Sequence, residues 1–276
     1  MVVTDIDGTI AREDGSLTPA ALQASRELAA RGVPLIAATA RVPSGLTFLE
    51  PEMPAFTVAV CCNGSLGVDL RHGRPPWPPP WDELWRHQLS TATVGKIVSA
   101  LTARLPDAGI AAFDGSGWVM TASYLTARGR KPRAPSRLTD AAALAAADAF
   151  ALSVCHPGIG ADQVAGELAR AGITPADATL SNADPRLLDV SPAGVDKASG
   201  VARALDILGI APEDAVAFGD APNDIPLFKL AGRAVAVANA HPDLLAVADA
   251  VTESVTDDGF SRELRRLGLI GPYQSS

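Results

Sequence analysis

The chain opens on a short apolar run, residues 1–3, which gives way after Thr4 to Asp5-Ile6-Asp7-Gly8-Thr9. An apolar run ending in polar residues predicts a buried strand whose carboxyl end meets solvent. Residues 18–30 carry apolar positions at helical spacing, open on Thr18-Pro19 and stop before Gly32, which are helix start and stop signals. A second apolar strand is predicted over 33–39, a helix over 41–49, and a third strand over 57–62 ahead of Asn63-Gly64. This is the βαβαβ rhythm of a parallel sheet covered by helices.

The rhythm breaks near residue 70. Residues 71–80 are too rich in proline for a helix interior or a central strand, so they read as a linker or an exposed hairpin edge. A different grammar follows: a helix over 93–105, strands over 109–113 and 118–122, a helix over 141–149, a strand over 151–155, a helix over 161–171, and strands over 178–182 and 186–190. From Asp196 the βα alternation returns, with helices over 197–208, 224–231 and 241–247 and strands over 215–218 and 234–238. The simplest account is an α/β protein with a Rossmann-like parallel-sheet core, residues 1–77 and 189–276, and an inserted α+β cap, residues 78–188.

Composition narrows the class. With 276 residues, 47% of them hydrophobic, the chain can fill real cores. A formal net charge of −8 argues against nonspecific nucleic-acid binding, which rests on Lys and Arg neutralising phosphates. Cys61, Cys62 and Cys155 form no C-x-x-C pair and read as reduced core thiols. No cationic start with an apolar stretch precedes Asp5, so the expected location is the cytoplasm. The apolar runs 33–40 and 57–62 fall short of the roughly 20 residues that a bilayer requires.

Four segments carry candidate chemistry. Asp5 and Asp7 stand two apart at a strand end, where the period of two points both carboxylates the same way. One carboxylate can attack phosphorus while a second protonates the leaving oxygen and later activates water. Thr39-Ala40-Arg41 ends the second strand, and a hydroxyl with free N–H groups at a helix start binds phosphate oxygens. Lys197 stands at a helix start, where a cation is unfavourable beside the positive end of the dipole, so an anion between it and the carboxylates is expected. Gly219-Asp220-Ala221-Pro222-Asn223-Asp224 sets two carboxylates and an amide after an apolar strand, which suits a hard divalent cation.

The cation is called for by charge. A carboxylate and a phosphate at 4 Å repel by several kcal/mol at an effective dielectric of about 20, and a divalent ion between Asp5, Asp220 and a phosphate oxygen cancels that repulsion. Each segment has a plain alternative: an acidic turn, an N-cap, a surface lysine, an Asx-rich turn.

Together and in this order, the four segments resemble the haloacid dehalogenase superfamily of aspartyl-phosphate hydrolases. The insertion and Asn63-Gly64-Ser65 are similar to those of its Cof-like, type IIB members. The resemblance implies Asp5 as nucleophile and Asp7 as general acid/base. It also implies Thr39 and Lys197 as catalytic partners, and Thr39, Ala40, Arg41, Asn63, Gly64 and Asn223 as substrate-binding residues. Mg²⁺ would be held by Asp5, Asp7 through its carbonyl, Asp220 and Asp224. The family pattern more often has glycine at the position of Ala40, and methionine at that of Phe228.

The implied activity is hydrolysis of a small phosphorylated metabolite, a sugar or polyol phosphate, by a monomer or homodimer without nucleic-acid or membrane partners. A phosphomutase that returns the phosphoryl group to a sugar hydroxyl uses the same parts, and a ligand-binding protein of this fold would keep them without turnover. Trp118, Tyr124, Arg128, Arg130, Asp184 and Arg186 are cap side chains within reach of the domain interface, each read first as packing or surface.

Overall fold

The computed structural model describes residues 1–49, 54–71, 81–129 and 136–272. Strand β1 (Val2–Thr4) is apolar because both of its faces are covered. Val2 packs with Leu35, Ala37 and Ala59 on one side of the sheet, and Val3 with Ile36, Ala38 and Val58 on the other. Helix α1 (Pro19–Ala30) starts as predicted, with the Thr18 hydroxyl accepting from the Ala21 N–H at 3.0 Å. Strands β2 (Leu35–Ala38) and β3 (Phe56–Cys61) follow in parallel with β1.

Between them the structure departs from the helix expected over 41–49. Pro43–Leu49 forms a 3₁₀ segment instead, since Pro43 lacks an N–H and Gly45 is a poor helix former.

Strands β4 (Leu66–Asp69) and β5 (Glu83–Arg86) then add antiparallel to the same sheet, as an extension not predicted from the sequence. The proline-rich stretch hides them, and most of it, residues 72–80, lies outside the described residues. The cap runs through α2 (Thr91–Arg104), β6 (Gly109–Phe113), β7 (Trp118–Met120), α3 (Ala122–Arg128), β8 (Ser136–Leu138), α4 (Ala141–Ala145), β9 (Ala151–Cys155), α5 (Ala161–Arg170), β10 (Ala178–Asp184) and β11 (Leu187–Pro192). Its sheet has the order β10-β11-β9-β6-β7-β8. One face of that sheet packs under α2, α4 and α5, with Ile110, Leu152, Val154 and Val190 meeting Ile97, Leu101, Leu144 and Val164.

The boundaries expected at 77/78 and 188/189 therefore shift. The chain leaves the core sheet after Arg86, and β11 keeps it in the cap sheet to Pro192. Both misplacements come from short strands at sheet margins, where little apolar patterning is needed.

The core closes with α6 (Lys197–Leu208), β12 (Val216–Gly219), α7 (Ile225–Leu230), β13 (Arg233–Val237), α8 (Pro242–Leu245), β14 (Ala250–Thr252) and α9 (Gly259–Arg266). Its sheet has the order β14-β13-β12-β1-β2-β3-β4-β5. The chain steps one way from β1 to β3 and the other way from β12 to β14, so the strand order reverses beside β1. Ligands of open α/β sheets bind at such a switch point, outside the carboxyl ends of the strands. The three cysteines are buried free thiols, as the sequence implies. Among the described residues, no helix is long and apolar enough to cross a membrane.

Candidate active site

Asp5 follows β1 directly and is held there by its N–H, which donates to the Phe218 carbonyl at 3.0 Å. The residue is 4% exposed, and Lys197 reaches its carboxylate across 192 residues of chain, Nζ donating to Asp5 Oδ1 at 2.8 Å. The same ammonium donates to Asp224 Oδ1 at 2.7 Å. Lys197 is thus tolerated at the start of α6, where two carboxylates face it directly. Burial alone would lower its pKa, but Asp224 and Asp5 outweigh burial and hold the ammonium above its usual value. Asp196 caps the same helix, its carboxylate accepting from the Ser199 N–H at 2.8 Å.

Oxygens of Asp5, Asp220 and Asp224 all lie within 4.8 Å of one another. Burial pushes Asp220 up to about 6, with Asp224 adding to the rise and Lys197 opposing it. Burial also pushes Asp5 well up, against the pull of Lys197. One ammonium cannot balance three carboxylates, and an all-oxygen set with surplus negative charge fits a hard divalent cation. Asn223 supports that fit, for its buried Oδ1 has no hydrogen-bond partner.

Asp224 has a second task beside the cluster. Asp224 Oδ1 is taken by Lys197, and its Oδ2 accepts from the N–H groups of Asp220 and Ala221 at 3.1 and 3.2 Å. Asp224 therefore braces the loop and the lysine at the edge of the candidate metal site.

Asp7 also differs from expectation. β1 ends at Thr4, so the alternation that would aim Asp5 and Asp7 at one point stops before it reaches them. The Asp7 side chain is 58% exposed and lies in the fork of Arg41, Nε at 2.6 Å and Nη2 at 2.5 Å. Arg41 in turn is folded over the 3₁₀ segment, donating from Nη1 to the Gly45 carbonyl at 2.8 Å.

Thr39 is buried at the end of β2, its hydroxyl accepting from the Arg41 N–H at 3.1 Å. Ala40, beside it, is half-buried.

After β3 the backbone turns through three consecutive residues of positive φ, Cys62 at 52°, Asn63 at 50° and Gly64 at 105°. Such strain persists only where the surroundings hold it. Here it aims Asn63 two ways, Oδ1 accepting from Asn223 Nδ2 at 3.2 Å and Nδ2 donating to Asp189 Oδ2 of the cap at 3.3 Å. A Cβ on Gly64 would stand 2.1 Å from the Asp196 carbonyl oxygen. Gly64→Ala is therefore expected to destabilise the protein by about 2 kcal/mol or more, read as a lower urea midpoint at unchanged slope.

Three site-supporting residues escaped the sequence reading. The Thr9 hydroxyl donates to Asp220 Oδ1 at 3.0 Å, and Asn239 Nδ2 donates to the Gly8 carbonyl at 2.8 Å. Both follow apolar strands that end in polar residues, a signal present in the sequence. Asp189 is the third, a cap residue in a strand, and nothing in its local sequence marks it. Of the cap residues named from sequence, Tyr124 is buried with its hydroxyl 3.2 Å from Ser153 Oγ, Arg128 pairs with Asp184 at 2.6 Å, and Arg130 lies outside the described residues.

A doubly covered sheet with carboxylates, a lysine and a hydroxyl gathered at its switch point places the protein among α/β folds that bind ligands at strand ends. The profile of the haloacid dehalogenase-like hydrolases matches residues 2–264, and the chain belongs to that family. It is 46% identical over 77 residues to the phosphoglycolate phosphatase of Natronomonas pharaonis, covering 28% of this chain and 34% of that one. To 5-amino-6-(5-phospho-D-ribitylamino)uracil phosphatase YcsE of Bacillus subtilis it is 34% identical over 86 residues, 31% of this chain and 34% of that one. The match thus spans about a third of the length of these relatives. Among solved structures, the subclass IIB sugar phosphatase BT4131 superposes with a TM-score of 0.83 at 18% identity, over 98% of this chain and 99% of that one. BT1666 of Bacteroides thetaiotaomicron superposes at 0.79 and 22% identity, over 98% and 95%.

Proposed function

We propose that this protein is a Mg²⁺-dependent phosphatase that hydrolyses a sugar or polyol phosphate, or a similar small phosphomonoester, through a phosphoryl group carried on Asp5. The observation that carries the reading is the buried contact of Lys197 with Asp5 at the switch point. The phosphatase names borne by relatives support it.

In the first half-reaction an Asp5 oxygen attacks phosphorus, and an O–P bond forms as the bond to the ester oxygen breaks. Asp7 gives its proton to the leaving oxygen. In the second, Asp7 takes a proton from water, the water oxygen attacks phosphorus, and orthophosphate leaves with Asp5 restored. Lys197 fixes one Asp5 oxygen and so leaves the other to react. The Thr39 hydroxyl holds a phosphoryl oxygen. Arg41 holds Asp7 beside the site, and Asp7 enters the reaction as the protonated acid after leaving that fork. Asp5, Asp220 and Asp224, with the Asp7 carbonyl, would hold Mg²⁺, which when bound cancels the repulsion between phosphate and carboxylates.

The test is release of phosphate from a panel of phosphomonoesters with Mg²⁺, repeated in excess EDTA. Chelation is expected to lower the rate about a hundredfold or more, with recovery on adding Mg²⁺. Mg²⁺ at 100 times its Kd is also expected to stabilise the fold by about 2.7 kcal/mol, seen as a rise in Tm. Turnover that persists in EDTA would overturn the metal dependence, and an isomerised ester without free phosphate would replace hydrolysis by mutase chemistry.

A further inference from the structure

Trp85 stands in β5, the last core strand before the chain enters the cap, and is only 5% exposed. Gly67 is its cross-strand partner on β4, and a Cβ there would stand 2.2 Å from the indole ring. The ring therefore lies in the space that glycine leaves open. Val60 of β3 and Val201 and Ala204 of α6 belong to the same packed cluster, and the Arg203 guanidinium carbon lies 5.8 Å from the centre of the ring. Sheet, helix and cation together hold the indole in one place.

From there its N–H reaches the turn after β3. Nε1 donates to the buried Gly64 carbonyl at 3.0 Å. The N–H groups of the same turn are held by the end of β2, Cys62 donating to the Arg41 carbonyl at 2.9 Å and Asn63 to that of Thr39 at 3.0 Å. All three residues of the turn have positive φ, a conformation that lasts only while its contacts hold. Asn63 depends on it, because its amide spans from Asn223 to Asp189 of the cap.

We propose that Trp85 is a positioning residue for the reaction, whose indole N–H holds the Gly64 carbonyl and so keeps Asn63 between Asn223 of the metal loop and Asp189 of the cap. The inference rests on the phosphatase reading above and adds a residue that acts on the site only through the backbone. Without the donor, the buried Gly64 carbonyl loses its partner and the turn is free to relax. A shift of about 1 Å at a distance from the reacting atoms can cost as much as a hundredfold in rate.

The test is Trp85→Phe, which keeps a ring beside Gly67 and removes the donor. With saturating Mg²⁺ and well below Tm, kcat for the best phosphomonoester of the panel is expected to fall about tenfold, with KM changed by about twofold or less. Hydrogen exchange at the amides of Cys62 and Asn63 is expected to quicken by about tenfold as the turn opens more often. Leu205→Ala, which thins the same cluster further along α6, is expected to lower Tm while kcat and those two amides stay within about twofold of wild type. Gly67→Ala, which drives the ring from its place, is expected to reproduce the loss of kcat, and combining it with Trp85→Phe to add nothing further. Wild-type kcat in folded Trp85→Phe, unchanged exchange at the two amides, or additive losses in the double variant would each overturn the inference and leave the phosphatase reading standing. Absence of phosphate release from every ester with the wild-type protein would instead remove the phosphatase reading, while faster exchange in Trp85→Phe would still support the hold on Asn63.

Discussion

Asp5→Asn is expected to lower kcat/KM by about four orders of magnitude or more, on the order of 5.5 kcal/mol of transition-state stabilisation, while the protein stays folded. Asparagine keeps the shape of the side chain but cannot carry the phosphoryl group, so the two-step route closes. Stability moves the other way. Burial raises the pKa of Asp5, with Asp224 and Asp220 adding to the rise and Lys197 opposing it. A carboxylate whose folded pKa lies above its unfolded value loses stability as pH rises between the two, so at neutral pH its ionisation opposes folding. Removing the charge relieves the crowding, and Tm measured in EDTA is expected to hold or rise. Two measurements decide the matter: phosphate release, and the mass of protein quenched during turnover, which gains a phosphoryl adduct only where Asp5 is present. Turnover within tenfold of wild type would end the covalent mechanism.

Lys197→Met is expected to lose both activity and stability. Lys197 is 1% exposed and is the shared partner of Asp5 and Asp224. Breaking a buried pair strands its partners, at about 3–5 kcal/mol, and here two carboxylates are stranded at once. Because the lysine pKa lies above its ordinary value, its stabilisation is complete at neutral pH and is lost only as pH rises through the folded value. For a chain of this size the expected fall in Tm is roughly 10 °C. Adding Asp224→Asn should recover part of the stability without recovering turnover, since the second change removes a stranded charge but supplies no cation for Asp5. A double-mutant cycle on Tm reads the coupling, and simple additivity would show that the two residues do not share one network.

The opposite behaviour of these two variants reflects how the site is assembled. Asp5, Asp220 and Asp224 crowd three carboxylates, two buried and one half-buried, into one place, an arrangement set against stability and suited to a cation. Lys197 is the element that lets the apoprotein hold them. The second layer acts through backbone. Gly8 has φ +80° and a Cβ on it would stand 2.2 Å from Asp220 Oδ2, so the turn after Asp5 and the metal loop fit only around glycine. Asn63 then links that loop to the cap through one amide, with Asn223 on its oxygen and Asp189 on its nitrogen.

Much of this was legible in the chain. Apolar runs ending in Asp5, Thr39, Asn63 and Asp220 name the strand ends of a parallel sheet, because strands buried on both faces are continuously apolar and their termini are not. The helix beginning at Lys197 was readable to the residue, since Asp196 and Ser199 form its cap. The limits were equally physical. Strands β4 and β5 lie beyond the parallel block, beside a proline-rich stretch, and short strands near a sheet edge need no strong pattern. Asp7 follows a strand that stops three residues earlier, so a rule for strand side chains misdirected it toward the cluster, whereas Arg41 holds it outside.

The sequence by itself determined the fold class, the strand ends that carry the reacting groups and the charge pattern that calls for a cation. These are local properties, written in periodicity and in which residue types follow an apolar run. Tertiary structure alone decided which carboxylates the lysine meets, that Asp224 braces the loop as well as the lysine, and that Asp189 of the cap comes to Asn63 of the core. Those contacts join residues 192, 27 and 126 positions apart. Distances of that kind are set by how the core helices and strands pack and how the cap meets the core, and no local pattern in the chain encodes them.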